Sequence, residues 1–451
     1  MDARHETLCF GDVLQLLRKR TEMTQQQLAS ESGVSVRAIR DLEVGRAHRP
    51  RRDTVRLLAD ALRLRASSRA LLESAAGRPT DRRTFRQMHD EGAASPPAPV
   101  GSLVGRERDM TVVCEALDTE RLVSLVGLAG VGKTRLALAV ADRIHAGGAV
   151  PTIWIPGHGG PSGVDSDAGG AETWLGQSRA MLTSWVADRL SGAGSVDDLA
   201  ELIGDRRTLL VIDAYESSHV LRDPLMQLLD RCTALQVLMT TRVPPPLRDV
   251  RTVPVSPLSS VTRDGAGTEG GTPPAVSLLL ARLRCSRPTL EHTGATAEAA
   301  SLICRALDGI PLALNLAAAW FPVYSPQQLV PMAEEAPLDL VEPVFGGEGD
   351  VDGGLRASVQ QSISGLRPSE SRLLRALALR GGALPFDRLV EEFGGSFAET
   401  AQAVHVLLLR GLVRQECTSD GGAAVAVLNL VRSILMAVPS PRGRVSAVAH
   451  A

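Results

Sequence analysis

The sequence contains few of the residues that build disulfide frameworks, metal sites and aromatic cores. Its six cysteines are scattered over 451 residues without a C-x-x-C pair, which excludes a disulfide-rich fold and a cysteine zinc site. Aromatic residues make up only 3% of the chain, so any core must be aliphatic. No apolar run approaches the ~18 residues of a membrane helix, and the N-terminus lacks the apolar segment of a signal peptide. We therefore expect a soluble, cytoplasmic protein with no membrane partner.

Lysine is almost absent too, and the charges that are present are unevenly distributed. Of 49 basic side chains, only Lys19 and Lys133 are lysines. Residues 1–80 carry 15 basic and 10 acidic side chains, a net charge of +5, whereas the rest of the chain has a net charge of −7. This asymmetry predicts an anionic partner for the N-terminal region. The length predicts two to four domains.

Residues 10–64 carry the pattern of a helix-turn-helix. Thr24 can cap a helix over Gln25–Ser30, which Gly33 interrupts. Ser35 can cap a third helix that ends near Glu43. Two short helices joined by a glycine-containing turn are typical of proteins that place the second helix in the DNA major groove. A small helical bundle with a solvated basic face is the alternative interpretation.

The segment from Thr24 to Gly45 closely resembles the Cro/Xre family of phage-type repressors. The resemblance implies contacts with base edges of double-stranded DNA from Ser35, Val36, Arg37 and Asp41. It implies phosphate contacts from Gln25, Arg46, Arg49, Arg51 and Arg52. It also implies a buried, structural ion pair between Arg18 and Glu43. Independently of the resemblance, the period of the third helix directs Arg40 outward beside Arg37, so both guanidinium groups can reach the groove.

A second motif lies after a polar and then proline-rich stretch. Gly127–Thr134 matches the phosphate-loop pattern G-x-x-x-x-G-K-[ST] in full. Its glycines are Gly127, Gly130 and Gly132. They allow backbone N–H groups to surround phosphate oxygens, while Lys133 supplies a flexible ammonium where a guanidinium would fit poorly. Thr134 is placed to offer its hydroxyl to Mg²⁺, and a helix from Arg135 onward would direct its N-terminus at the phosphates.

An apolar strand over Leu122–Val126 precedes the loop, and four more strands follow it. They are expected at Thr152–Ile155, Thr208–Ile212, Gln236–Thr240 and Thr252–Val255. Helical patterns separate them, which predicts an α/β domain with a doubly wound parallel sheet. Asp213 ends one strand beside the phosphate loop and is placed to hold Mg²⁺ through water, although strand-terminal acids are more often turn residues. Arg242 ends the next strand and can contact a γ-phosphate, with a solvated arginine as the alternative.

From about residue 103 to 438 the chain resembles the STAND signal-transduction NTPases in their NB-ARC-like bacterial form. The resemblance rests on Val104–Arg106, the phosphate loop, Leu209–Asp213, Met239–Arg242 and Leu307–Leu314. It implies ATP/ADP with Mg²⁺ as cofactors, and a closed state with ADP that opens with ATP and then assembles into a homo-oligomer. It implies nucleotide contacts from Val104, Gly105, Arg106 and Pro311, in addition to the loop and Arg135.

The resemblance also divides the chain into domains. We expect a helix-turn-helix domain over 1–80, a linker over 81–100, a nucleotide-binding domain over 101–258 and a helical domain over 259–345. A winged-helix domain over 346–438 would follow, acting as an intramolecular lid, with a tail over 439–451. Residues 156–172 and 261–274 are glycine-rich and are expected to form disordered loops.

Three departures from the family pattern bear on mechanism. No histidine accompanies Asn429, where such families often contact ADP, so nucleotide sensing there is in doubt. Ala214 follows Asp213 where a second acid is common, and Glu216 lies further on; Lys133 and Asp213 would then support slow hydrolysis at most. No repeat of a sensor domain is present. The sensor is absent, lies in a separate partner protein, or is missing from a shortened form.

These patterns predict a transcriptional regulator whose helix-turn-helix binds an operator and whose nucleotide-binding body is switched by ATP and ADP. Two alternatives remain open at this point. One is an ATPase whose turnover is itself the function. The other is a repressor on a nucleotide-bound scaffold that does not switch.

Overall fold

The structure is a computed structural model, and it describes a defined part of the chain. The described residues are 10–21, 23–44, 46–47, 50–64, 69, 72, 76, 95–98, 101–148, 150–156, 183, 186–187, 190, 195–215, 219–261, 271–288, 294–342, 354–393, 396–417 and 422–437. Arg49, Glu216, the tail over 439–451, and most of the linker and of the glycine-rich segments lie outside the described residues. Among the helices described, none is long and apolar enough to span a membrane.

The structure describes four helices of the N-terminal bundle in full. They are α1 (Phe10–Arg20), α2 (Gln25–Ser32), α3 (Val36–Glu43) and α4 (Arg52–Ala61). Thr24 caps α2 in a capping box with Gln27, Gly33 ends it in the left-handed region at φ +70°, and Ser35 caps α3. The buried aliphatic face of each helix contributes to one small core that includes Leu14, Leu28, Ile39 and Leu58. The predicted helix-turn-helix is therefore confirmed.

A five-stranded, wholly parallel sheet follows. Its strands are β1 (Leu122–Val126), β2 (Thr152–Ile155), β3 (Thr208–Ile212), β4 (Leu235–Thr241) and β5 (Arg251–Pro254), in the order β2-β3-β4-β1-β5. The helices around it are α5 (Glu107–Thr119), α6 (Lys133–Gly148), α7 (Val196–Ile203) and α8 (His219–Arg231). Alternate side chains of β1 to β4 enter two separate cores, one on each face, whereas β5 contributes only Val253 to one of them, as expected for a sheet covered on both sides with β5 at its edge.

One detail of the predicted α/β pattern is wrong. No helix joins β4 to β5, because residues 242–250 form turns and irregular chain that include three consecutive prolines. Proline lacks a backbone donor and restricts the residue before it, so this stretch cannot continue a helix. The connection still returns the chain to the side of β1, where β5 pairs in parallel.

A helical segment and a mixed C-terminal segment complete the described chain. The helical segment holds α9 (Pro274–Ser286), α10 (Gly294–Ala306), α11 (Pro311–Ala318), α12 (Pro326–Glu335) and α13 (Pro337–Leu340). We call residues 354–437 the C-terminal lobe. The lobe holds α14 (Gly354–Ser364), α15 (Pro368–Arg380), β6 (Leu384–Pro385), α16 (Phe386–Phe393), α17 (Phe397–Leu409), β7 (Val413–Cys417), β8 (Ala423–Val427) and α18 (Asn429–Met436).

The lobe contains a small antiparallel sheet in the order β6-β8-β7. Strands β7 and β8 pair antiparallel, with Val413 opposite Val427 and Cys417 opposite Ala423. One continuous cluster of buried side chains extends from Val113 in α5 to Ile434 in α18. The described parts of the three domains predicted after residue 100 thus share a hydrophobic core, and the boundaries between them remain predictions.

Candidate functional site

The phosphate-loop motif lies between a buried strand and the start of a helix. All five residues of β1 are buried, and α6 begins at Lys133. Gly130 and Gly132 have φ values of +80° and +98°, which side chains with a Cβ rarely adopt. A Cβ on Gly127 would lie 2.6 Å from the carbonyl oxygen of Val255. These glycines keep the loop backbone open in front of the helix N-terminus, where N–H groups lack partners within the helix.

Lys133 lies inside this loop. Its Nζ donates to the carbonyl oxygens of Gly127 and Leu128, both at 2.9 Å. Burial, together with the nearby charge of Arg242 and against the opposing effect of Asp213, lowers the pKa of Lys133 to about 8. The ammonium therefore rests on weak carbonyl acceptors in a poorly solvated position, which favours exchange of these acceptors for an anion.

A hydroxyl and a carboxylate meet next to the loop. Thr134 Oγ1 donates to Asp213 Oδ1 at 2.8 Å, and Thr240 Oγ1 donates to the same oxygen at 2.6 Å. Asp213 is 4% exposed and directly follows β3. Ala214, in the left-handed region at φ +49°, donates its N–H to Thr240 Oγ1 at 2.8 Å. Oxygen ligands of these two types are those that Mg²⁺ prefers.

Arg106 holds the backbone of the phosphate loop in place. Its Nη2 donates to the carbonyl oxygen of Val131 at 2.8 Å, and Nη1 contacts Asp109 at 2.6 Å. Gly105 has a φ of +64°, and a Cβ there would lie 2.3 Å from Cβ of Pro274. Val104 precedes this turn and is half-buried. The motif predicted to bind nucleotide thus positions the phosphate loop through Arg106 and packs against α9.

Two further arginines lie around the loop. Arg135 Nη2 donates to the carbonyl oxygen of Ser102 at 3.2 Å. Arg242 donates to the side chain of Gln361 in α14. Each guanidinium thus joins the loop region to another segment, and Arg242 lies close enough to Lys133 to influence its pKa.

Three segments distant in sequence cover the phosphate loop. Leu312, beside Pro311 at the start of α11, donates its N–H to the carbonyl oxygen of Gly130 at 3.1 Å. A Cβ on Gly130 would lie 2.7 Å from Cβ of Leu312 and 3.2 Å from Cδ1 of Leu355. A Cβ on Gly411 would lie 3.0 Å from the backbone nitrogen of Leu128. The loop is therefore in contact with both the helical segment and the C-terminal lobe.

The sequence did not assign roles to several residues of this region. Thr240 and Asp308 stand inside motifs that carry the family resemblance, yet neither was predicted to bond as it does. Gln361 has no local signal, because a glutamine on an amphipathic helix is ordinarily solvated. Their partners lie far away in sequence, so local spacing does not reveal them.

The helix-turn-helix presents a separate polar face. Ser35, Arg37 and Arg40 are exposed, whereas Val36 and Asp41 are half-buried. Arg51, which precedes α4, is exposed as well. Both arginines of α3 therefore point away from the small core, in the arrangement that a major-groove helix requires.

A buried ion pair underlies that face. Arg18 Nε and Nη2 donate to the two carboxylate oxygens of Glu43 at 2.6 and 2.9 Å, which confirms the predicted pair. Gln25 Nε2 donates to Glu43 Oε2 at 2.7 Å. The Gln25 amide is thus directed at Glu43, whereas its backbone N–H, in the first turn of α2, has no acceptor within the helix; the phosphate contact of Gln25 stays a prediction.

Comparison with known proteins identifies a domain family and relatives of this chain. A family model described as a helix-turn-helix domain matches residues 10–72. An uncharacterized protein of Mycobacterium tuberculosis is 31% identical over 290 residues, which cover 63% of this chain and 67% of that protein. A second protein of the same organism, whose name describes it as a candidate HTH-type transcriptional regulator, is 31% identical over 265 residues, 58% of this chain and 27% of that protein.

A solved structure shares a distant likeness. It is a STAND ATPase with a tetratricopeptide repeat sensor from Pyrococcus horikoshii, 19% identical, with a TM-score of 0.31. The likeness covers 76% of this chain and 43% of that one. Because this likeness is weak, the fold of the chain is described by its own strand order, β2-β3-β4-β1-β5.

Proposed function

Because the chain belongs to one family with the uncharacterized mycobacterial protein, and its N-terminus is a helix-turn-helix domain, we propose that it is a DNA-binding transcriptional regulator. We propose further that binding of ATP or ADP with Mg²⁺ in the body of the chain switches its activity. The name of the second mycobacterial relative supports the regulatory part. The nucleotide part rests on the geometry of the phosphate loop.

The observation that carries the nucleotide proposal is the combination of a glycine loop with a half-buried lysine whose ammonium, in the described part of the chain, bonds only to loop carbonyl oxygens. Lys133 would exchange the carbonyl oxygens of Gly127 and Leu128 for phosphate oxygens, which are stronger acceptors. Thr134 and Asp213 would hold Mg²⁺ in place of their mutual hydrogen bond. Bound nucleotide supplies phosphate charge that differs between ATP and ADP, and that difference is what a switch requires.

Hydrolysis is proposed to be slow. Asp213 already accepts two hydroxyl donors, and Ala214 after it has no side chain that could act as a base. Among the described residues, no other acidic side chain bonds to Asp213 or to the two threonines that donate to it. Phosphate release well below the typical ~10 s⁻¹ of enzymes is expected, and a rate near that value which Lys133→Ala abolishes would support an ATPase whose turnover is the function.

For DNA, the proposed reading helix is α3. Ser35, Val36, Arg37, Arg40 and Asp41 would face base edges, whereas Gln25, Arg49 and Arg51 would lie on phosphates. A single module of this kind buries too little surface for tight specific binding, so two copies of the chain would bind paired half-sites. The C-terminal lobe, as a winged-helix lid on the phosphate loop, would then control association of the bodies.

The test is operator binding and mass in three states of the full chain: with ATP and Mg²⁺, with ADP and Mg²⁺, and without nucleotide. We expect ATP to promote self-association in sedimentation and to tighten operator binding in gel shifts, and ADP to do so less. Identical mass and identical affinity in all three states would instead identify a scaffold that does not switch.

A further inference from the structure

Asp308 is a buried carboxylate in an unusual backbone position. It lies between α10 and α11 with a φ of +56°, in the left-handed region. Its side chain is fully buried, at 0% exposure. Burial raises the pKa of Asp308 to about 6, although the hydrogen bonds that the carboxylate accepts act to lower it. A charged group held without water in this way needs strong partners.

Those partners come from the C-terminal lobe. Asp308 Oδ2 accepts the backbone N–H of Leu430 at 2.9 Å, and Oδ1 accepts Nη1 of Arg414 at 2.9 Å. A backbone hydrogen bond from Asn429 contributes as well. Asn429 Nδ2 in turn donates to the carbonyl oxygen of Arg305 at 2.9 Å. We call Asp308, Arg414, Asn429 and Leu430 the Asp308 cluster.

The cluster substitutes for a missing helix cap. Asn429 and Leu430 are the first residues of α18, whose N–H groups have no acceptor within the helix. The N-cap residue of α18 is Leu428, which makes no side-chain cap bond. Asp308, more than 100 residues earlier in the chain, supplies the acceptor and places negative charge at the positive end of the helix.

The same short turn contacts the phosphate loop at its other end. Gly309 follows Asp308, and Leu312 donates its N–H to the carbonyl oxygen of Gly130 at 3.1 Å. Gly309 also accepts the N–H of Leu258 at 3.0 Å, and a Cβ on Gly309 would lie 2.1 Å from the oxygen of Leu258. The turn therefore has little room to change shape, and a displacement at Leu312 would carry Asp308 with it.

We propose that Asp308 is the positioning residue that holds the C-terminal lobe closed, and that the 308–312 turn couples the lobe to the phosphate loop. The coupling rests on the proposed nucleotide function, whereas the closing contact does not. Loss of the Asp308 acceptor leaves the α18 N–H groups and Arg414 without their buried partner. Arg414 retains Glu416 at 2.6 Å, so its charge stays compensated when the lobe is released.

The test is hydrogen exchange of the α18 amides in full-length Asp308→Gly without nucleotide. Glycine accepts the left-handed backbone, so the substitution removes the carboxylate without adding strain. We expect α18 to exchange at least tenfold faster than in the wild type, with β1 and β4 unchanged. The matched control is Asp249→Gly, since Asp249 also has a positive φ, +55°, but is exposed. Wild-type exchange of α18 in a folded Asp308→Gly protein would overturn the proposal.

Arg414→Met provides a second variant if Asp308→Gly does not fold. It removes the other half of the ion pair and leaves the left-handed turn intact, so faster exchange of α18 is again expected. Arg356→Met, in the exposed pair of Arg356 with Glu342, should leave α18 unchanged. An α18 that exchanges at the wild-type rate in folded Arg414→Met would contradict the assignment.

Nucleotide titrations separate this proposal from the proposed function. If ATP and ADP alter α18 exchange in the wild type, and the Asp308→Gly substitution by itself leaves α18 exchange unchanged, nucleotide switching stands and the Asp308 assignment is wrong. If Asp308→Gly releases α18 while neither nucleotide binds, the closing contact stands and the switch is wrong.

Discussion

The helix-turn-helix and the body that follows it are stabilised in different ways. In the N-terminal bundle the caps and helix ends join residues a few positions apart, and the core is drawn from a segment of fewer than 70 residues, Phe10 to Ala76. In the body, a single buried cluster draws side chains from α5 to α18, and the phosphate loop is contacted by residues about 180 and 280 positions later. The first region is therefore expected to fold and bind by local rules, whereas the second depends on closure of distant segments.

The largest predicted effect tests whether the two regions are stabilised independently. It concerns the buried ion pair of the bundle, Arg18 with Glu43. Glu43→Ala leaves Arg18 partly buried without its carboxylate, at a cost of about 3 kcal/mol. Exchange of the α3 amides should accelerate accordingly, while affinity for ATP stays constant. Glu31→Ala, an exposed acid on α2, is the control and should change neither. A parallel loss of ATP affinity in Glu43→Ala would mean that the two regions are not independent.

The corresponding test in the body uses the two lysines of the chain. Lys133→Ala removes a charged donor, and such hydrogen bonds are worth roughly 1.5–3 kcal/mol. ATP affinity measured by titration calorimetry should fall tenfold or more, and nucleotide-free DNA binding should persist. Lys19→Ala, on the exposed side of α1, should leave ATP affinity as it is. If a folded Lys133→Ala protein binds ATP as tightly as the wild type, the assignment of Gly127–Thr134 as a phosphate loop is wrong.

A third prediction concerns how the bundle recognises DNA. Arg37→Ala should relax base preference by roughly 1–3 kcal/mol at one position, because it removes a side chain directed at base edges. Arg51→Ala should weaken all sequences alike and lower the salt dependence by about one counterion. Competition binding on variant operators at several salt concentrations distinguishes them. If a fragment over 101–451 binds the operator as strongly as the full chain, the lobe is the DNA-binding element instead.

The smallest predicted effect concerns the capping box, a local feature that occurs in both regions. Thr24→Ala and Ser396→Ala each remove the hydroxyl of a capping box, a loss of about 1 kcal/mol of helix stability. Each should speed amide exchange at the start of its own helix, α2 or α17, and leave the other helix unchanged. An effect of Ser396→Ala on α2 would indicate that the bundle and the lobe stabilise each other.

The elements that local patterns predicted are those that local physics decides. The cap residues Thr24 and Ser35 and the helix-ending Gly33 act within a few positions of themselves, and their helices are found as expected. The strands agree within a residue at each end, and the apolar runs of β1 to β4 are buried on both faces. The expected helix between β4 and β5 was wrong because consecutive prolines outweigh the alternation of strands and helices.

The sequence alone predicts the phosphate-loop glycines, Lys133 and Thr134 on one turn, because their spacing is fixed, and Asp213 at the end of another strand of the same sheet; their nucleotide roles, and the DNA-reading role of α3, stay proposals. It could not indicate that Arg106 bonds to Val131, that Arg242 meets Gln361, or that Asp308 caps α18. Those contacts join segments 25 to 122 residues apart, and no local period encodes them. They arise when separate apolar faces pack into one core, which brings polar groups together that must then satisfy one another away from water.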